Sequence, residues 1–125
     1  MRLPNLASPS PKMSHILVIA PDTDLRRSLE FALRAEGHEV TWRTSIETEE
    51  NPDRFDCTVL DHHAIGRDLA RSAAFCTRFK PVILLASYVP HVLSPWVFSI
   101  LQKPLLGQAL VAATREATAS RVDTK

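Results

Sequence analysis

Asp61 closes the apolar run Phe55-Asp-Cys-Thr-Val-Leu60 and is followed at once by His62 and His63. Lys103 precedes Pro104, Ser87 follows the run Val82 to Ala86, and Ala20-Pro21-Asp22 closes the run that begins at Ile16. A carboxylate, an ammonium group and a hydroxyl therefore stand where apolar runs end. In an open parallel sheet, ligands bind in the crevice outside the carboxyl ends of the strands. Ala20, Pro21, Asp22, Asp61, Ser87 and Lys103 are thus the positions that carry whatever chemistry exists. The two cysteines, Cys57 and Cys76, are nineteen positions apart with no CxxC or Cys/His pairing around them. That spacing supports neither a zinc site nor a disulfide framework, and two free buried thiols are expected.

A chain of 125 residues is long enough for one domain with a real core and too short for two. Apolar residues at 45% and charged residues at 23% exclude a wholly disordered chain. Fifteen Lys and Arg against fourteen Asp and Glu leave a net charge of +1. No global field steers such a protein onto nucleic acid or an anionic membrane. The apolar run Ile16 to Ala20 is far short of a membrane span, which needs roughly 20 residues, and no cleavage pattern follows it. A cytoplasmic protein is the expectation.

The elements that must hold these residues follow from the alternation of short apolar runs with helical patterns. His15 to Ala20 is apolar without interruption after its first residue, as a strand buried on both faces requires. Asp22 or Thr23 caps the next helix, whose stripe is Leu25, Leu29, Ala32 and Leu33, and Gly37 occupies the left-handed position after its end. Glu39 to Arg43 is strand two. The segment from Ser45 to Glu50, before Asn51-Pro52, has room for barely two helical turns. Phe55 to Leu60 gives strand three. Arg67 to Phe79 gives a helix with Leu69, Ala73 and Cys76 inward, and Val82 to Ala86 gives strand four. Pro90 and Pro95 leave little room for a fourth helix before strand five at Val97 to Leu101. A final helix runs from Lys103-Pro104 to about Ala117, burying Leu106, Leu110, Ala113 and Ala117. The expected fold is an α/β, flavodoxin-like (βα)5 doubly wound parallel sheet of strand order 2-1-3-4-5, with helices 2 and 4 shortened. Its expected span is 14–118, between flexible tails at 1–13 and 119–125.

Over residues 15–117 the sequence resembles the receiver domain of response regulators. The residues that carry the resemblance are Ile16-Leu-Val-Ile, Asp24-Leu-Arg-Arg, Glu36-Gly-His-Glu-Val40, Phe55 to Asp61, Gly66 with Asp68, Pro81-Val-Ile-Leu-Leu and Lys103-Pro104. The resemblance implies that Asp61 is the position of a phospho-acceptor served by a histidine kinase, and that Lys103 contacts the phosphoryl group. It also implies a divalent metal held by two acids after strand one, because two anions approach only across a bridging cation. Those acidic positions read Ala20 and Pro21, and Asp22 lies one step further on. The switch hydroxyl falls at Ala86, with Ser87 beside it, and the switch aromatic falls at Ile100. Magnesium binding is therefore expected to be weak or lost, with no metal and no cofactor held. Lys103 is left to neutralise a buried Asp61. At about 4 Å such a pair attracts by roughly 4 kcal/mol at an effective dielectric of about 20, before desolvation.

Asp61-His62-His63 also resembles the signature of the DHH phosphoesterases, and Pro21-Asp22-Thr23-Asp24 with Ser28 resembles that family's first metal motif. This second resemblance implies a manganese-type ligand set of Asp22, Asp24, Asp61, His62 and His63. Val18 stands where that motif begins with histidine, and Lys103-Pro104 has no part in it. The plainer reading of His62 and His63 is a polar loop after strand three. The sequence thus points to a stand-alone, degenerate receiver without catalytic residues, a monomer or weak homodimer. Its expected partner is a histidine kinase or a phosphotransferase, with neither nucleic acid nor membrane. The alternatives are a working phospho-receiver using Asp61 and a small DHH-type phosphoesterase.

Overall fold

The computed structural model describes residues 14–89, 91–104 and 107–123. The expectations for the tail at 1–13, for Pro90, for the burial of Leu106 and for residues 124–125 fall outside that set. Five parallel strands form one sheet: β1 (His15–Ile19), β2 (Glu39–Arg43), β3 (Cys57–Asp61), β4 (Val82–Ala86) and β5 (Ser99–Gln102). Their order is β2-β1-β3-β4-β5, as the sequence pattern requires. The helices are α1 (Thr23–Ala35), α2 (Leu69–Arg78) and α3 (Gly107–Asp123).

Period-2 alternation divides the strand residues between two cores. Ile16, Val18, Val59, Ile83 and Leu85 pack with Leu29 and Leu33 of α1 and Leu110, Ala113 and Ala117 of α3. Leu17, Ile19, Leu60, Val82 and Leu84 pack on the other face with Phe75, Cys76 and Phe79. Both faces are covered, which is why β1, β3 and β4 read as continuous apolar runs. The thiols of Cys57 and Cys76 are buried and free, and burial pushes them up to about 12 and about 11 respectively. They remain protonated and act as core atoms.

Helix α1 begins at Asp22, whose side chain accepts from the Asp24 N–H at 2.9 Å, and ends before Gly37 at φ +92°. The left-handed backbone at that point suits glycine. Between β2 and β3 the described residues contain no α-helix, only a 3-10 turn at Pro52–Arg54. Side-chain ties replace helix packing there: Glu50 pairs with Arg43 and Arg54, Glu47 pairs with Arg71, and Ile46 packs on the second core. Between β4 and β5 there is again only a 3-10 turn, Ser94–Trp96, built around Pro95, while Leu93 is buried beneath it.

Two expectations about helices are corrected. Leu69 is exposed rather than inward, because α2 starts there, behind its Asp68 cap, and turns Ser72, Phe75 and Cys76 to the core. Helix α3 continues six residues past Ala117, since no glycine or proline interrupts the stretch to Asp123. No helix among the described residues is long and apolar enough to cross a membrane.

Candidate functional site

The register of the sheet brings the strand ends level. Asp61 on β3 lies opposite Leu85 on β4, and Ala86 lies opposite Gln102 on β5. The Lys103 N–H donates to the Ala86 carbonyl at 2.9 Å, which extends the β4–β5 ladder by one residue. The Lys103-Pro104 peptide is cis. From there the lysine side chain crosses over β4 and brings Nζ to 2.5 Å from Asp61 Oδ1. The Asp61 side chain is fully buried, whereas that of Lys103 keeps 23% of its surface exposed. Oδ1 receives no directed hydrogen bond and is neutralised by the ammonium group alone. A buried carboxylate demands such a partner, because desolvation penalises the uncompensated charge by several kcal/mol.

The second oxygen of Asp61 faces the turn that follows. Oδ2 accepts from the His63 N–H at 3.3 Å and lies 3.3 Å from His63 Nδ1. Asp61 thereby caps a 3-10 turn, His62–Ala64, which brings the two imidazoles to 4.1 Å between centroids, tilted by 35°. His62 is half-buried, with Nε2 3.5 Å from Ser87 Oγ, and His63 is exposed. Burial, then the neighbouring His63 and Lys103 charges, hold His62 below the usual imidazole range. A depressed imidazole is neutral at pH 7.

The other expected positions are arranged differently. Ala20 is fully buried, with its N–H donating to Arg43, and its carbonyl accepts from the Arg26 guanidinium at 3.3 Å. That guanidinium also lies 4.0 Å over the Trp42 ring. Pro21 and Asp22 are exposed, and Asp22 Oδ1 is engaged in capping α1. Ala86 is buried, Ser87 lies at the site edge, and Ile100 packs on the second core. The five-residue ligand set of the phosphoesterase resemblance is not assembled: among the described residues, the group of potential ligands that converges is Asp61, His62 and His63, without Asp22 or Asp24. The pairing of Asp61 with Lys103 follows from the ends of two sheet strands. The approach of both imidazoles to Asp61 does not, and the histidine doublet directly after a strand-end aspartate was its one signal.

No protein-family model matches the chain. Over 98 residues it is 31% identical to the transcriptional regulator protein FixT of Rhizobium meliloti (strain 1021), covering 77% of this chain and 85% of that protein. The chain belongs to the FixT-like receiver proteins. Solved receivers share its fold. A response regulator receiver domain from Clostridium thermocellum superposes with a TM-score of 0.72 at 21% identity, over 90% of this chain and 100% of that one. The receiver domain of the sensor histidine kinase PA1611 from Pseudomonas aeruginosa PAO1 gives 0.71 at 15% identity, over 86% and 99%, and holds a magnesium ion in its active site cleft.

Magnesium takes oxygen ligands in near-octahedral geometry, commonly one or two carboxylates with waters. The Ala20 methyl and the Pro21 ring offer no side-chain oxygen, Asp22 uses Oδ1 to cap α1, and Lys103 occupies one oxygen of Asp61. Ala20 and Pro21 therefore supply no carboxylate pair for magnesium.

Proposed function

We propose that this FixT-like receiver is a non-enzymatic docking module of two-component signalling. In this reading it acts in the cytoplasm, binding a histidine kinase or a phosphotransferase and restraining it without accepting a phosphoryl group on Asp61. The observation that carries the reading is the closed Asp61–Lys103 pair at 2.5 Å beside acidic positions that hold Ala20 and Pro21. An acceptor oxygen neutralised by lysine, with no acidic pair to bring a divalent cation, lacks the electrostatic relief that two approaching anions need. The readout positions agree with it. Ala86 has no hydroxyl to follow a phosphoryl oxygen, and Ile100 has no ring to swing behind it.

A surface suited to docking lies on the outer face of α1. Phe31 is 78% exposed there, with Arg27 exposed one turn earlier on the same face. An aromatic anchor beside a cation is the combination that interfaces favour.

Incubation with acetyl phosphate and magnesium chloride, followed by intact-mass measurement, tests the reading. The expected result is no phosphoryl adduct. A stable adduct that disappears in Asp61→Asn would overturn the reading in favour of a working phospho-receiver.

A further inference from the structure

We propose that Asp61, His62 and His63 form a binding site for a divalent transition-metal ion of the zinc, cobalt and nickel class, a change of metal preference rather than a simple loss of the receiver cation site. One ligand atom from each residue is available, and the three lie within 4.8 Å of one another. Bonds of about 2.0–2.2 Å from a tetrahedral ion to nitrogen and oxygen put neighbouring ligand atoms roughly 3.4 Å apart. Asp61 Oδ2 and His63 Nδ1 already stand at 3.3 Å, so two of the ligands are at the spacing of one coordination edge. His62 is the third member: its ring lies 4.1 Å from that of His63 between centroids, tilted by 35°, and its ligand nitrogen is within 4.8 Å of the other two ligand atoms.

The donor types decide the class of ion. Two imidazoles and one carboxylate suit borderline ions, whereas magnesium and calcium prefer oxygen-rich sites. The surroundings are arranged for three protein ligands and an open position. Lys103 holds Oδ1 and leaves Oδ2 turned toward the imidazoles. The exposed His63 gives entry from solvent, and Ser87 Oγ at 3.5 Å from His62 Nε2 is placed to orient that ring. Lys103 also moderates affinity, as its ammonium is bound to the same carboxylate.

The test uses the full, untagged chain, titrated with Zn2+ by calorimetry and with Co2+ by visible absorption, beside a magnesium titration. A saturable Zn2+ isotherm and a Co2+ ligand-field band of tetrahedral type are expected, with no heat from magnesium over the same range. His62→Asn and His63→Asn are each expected to weaken Zn2+ binding by at least about tenfold, and the double variant to abolish the cobalt band at unchanged Tm. Two outcomes would overturn the proposal: no saturable Zn2+ binding by the folded protein, or Zn2+ binding and a cobalt band that survive in the folded double variant.

Discussion

Replacing Lys103 by Met is expected to lower the unfolding free energy by about 3 kcal/mol at pH 7, the lower end of what breaking a buried ion pair costs. Asp61→Asn is expected to cost about 1 kcal/mol or less. The asymmetry comes from the two burials. Asp61 has no exposed surface, so without its partner it is an uncompensated charge inside the domain. Lys103 keeps 23% of its side-chain surface, so without Asp61 its ammonium can reach water while the stem stays in place. Urea denaturation of the three proteins at pH 7 is the check. Equal losses for the two variants would mean that the pair is not held as the structure has it.

Phe31→Asp is expected to weaken partner binding by about 30-fold, the equivalent of about 2 kcal/mol for burying one aromatic side chain at an interface. Because Phe31 is 78% exposed and lies outside both cores, the variant is expected to unfold at the wild-type midpoint. Calorimetry with a kinase or phosphotransferase captured from the native cell measures the affinity. Unchanged affinity would move the docking face away from α1. A lowered midpoint would mean that Phe31 supports the fold.

Much of this architecture is legible in the sequence, and what is not has identifiable physical causes. β2 and β4 occupy the spans their composition dictates, Glu39–Arg43 and Val82–Ala86, because each is bounded by polar or turn-forming residues. β5 starts at Ser99 rather than Val97: the Val97 N–H closes the 3-10 turn onto Ser94 and is lost to the ladder. Of the stripe Leu69, Ala73 and Cys76 that apolar residues alone suggest for α2, Cys76 is buried, Ala73 packs on the second core, and Leu69 is exposed. The stripe is completed by Phe75 and Phe79, whose rings stack at 4.4 Å, and by Ser72, a small polar residue that apolar counting passes over. In α3, polar composition after Ala117 reads as an ending, but polarity by itself is no stop signal.

The site divides along the same line. Asp61, Lys103, Ala20 and Ala86 are positioned by strand register, which hydrophobic runs encode, so their convergence could be read in advance. The imidazoles are positioned by one 3-10 turn capped by Asp61 itself, and an isolated turn of three residues leaves no period in a sequence. From sequence the plainer reading of His62 and His63 is a polar loop, and the phosphoesterase resemblance alone groups them with Asp61. Side-chain geometry makes them neighbours of the buried carboxylate.

The autophosphorylation rate of the partner kinase, titrated with the wild-type chain and with Asp61→Asn, bears most directly on whether this receiver works without a phosphoryl acceptor. Both proteins are expected to slow the kinase to the same extent and with the same half-maximal concentration. A folded Asp61→Asn protein that leaves the kinase rate untouched, beside a wild-type chain that lowers it, would contradict phosphorylation-independent docking.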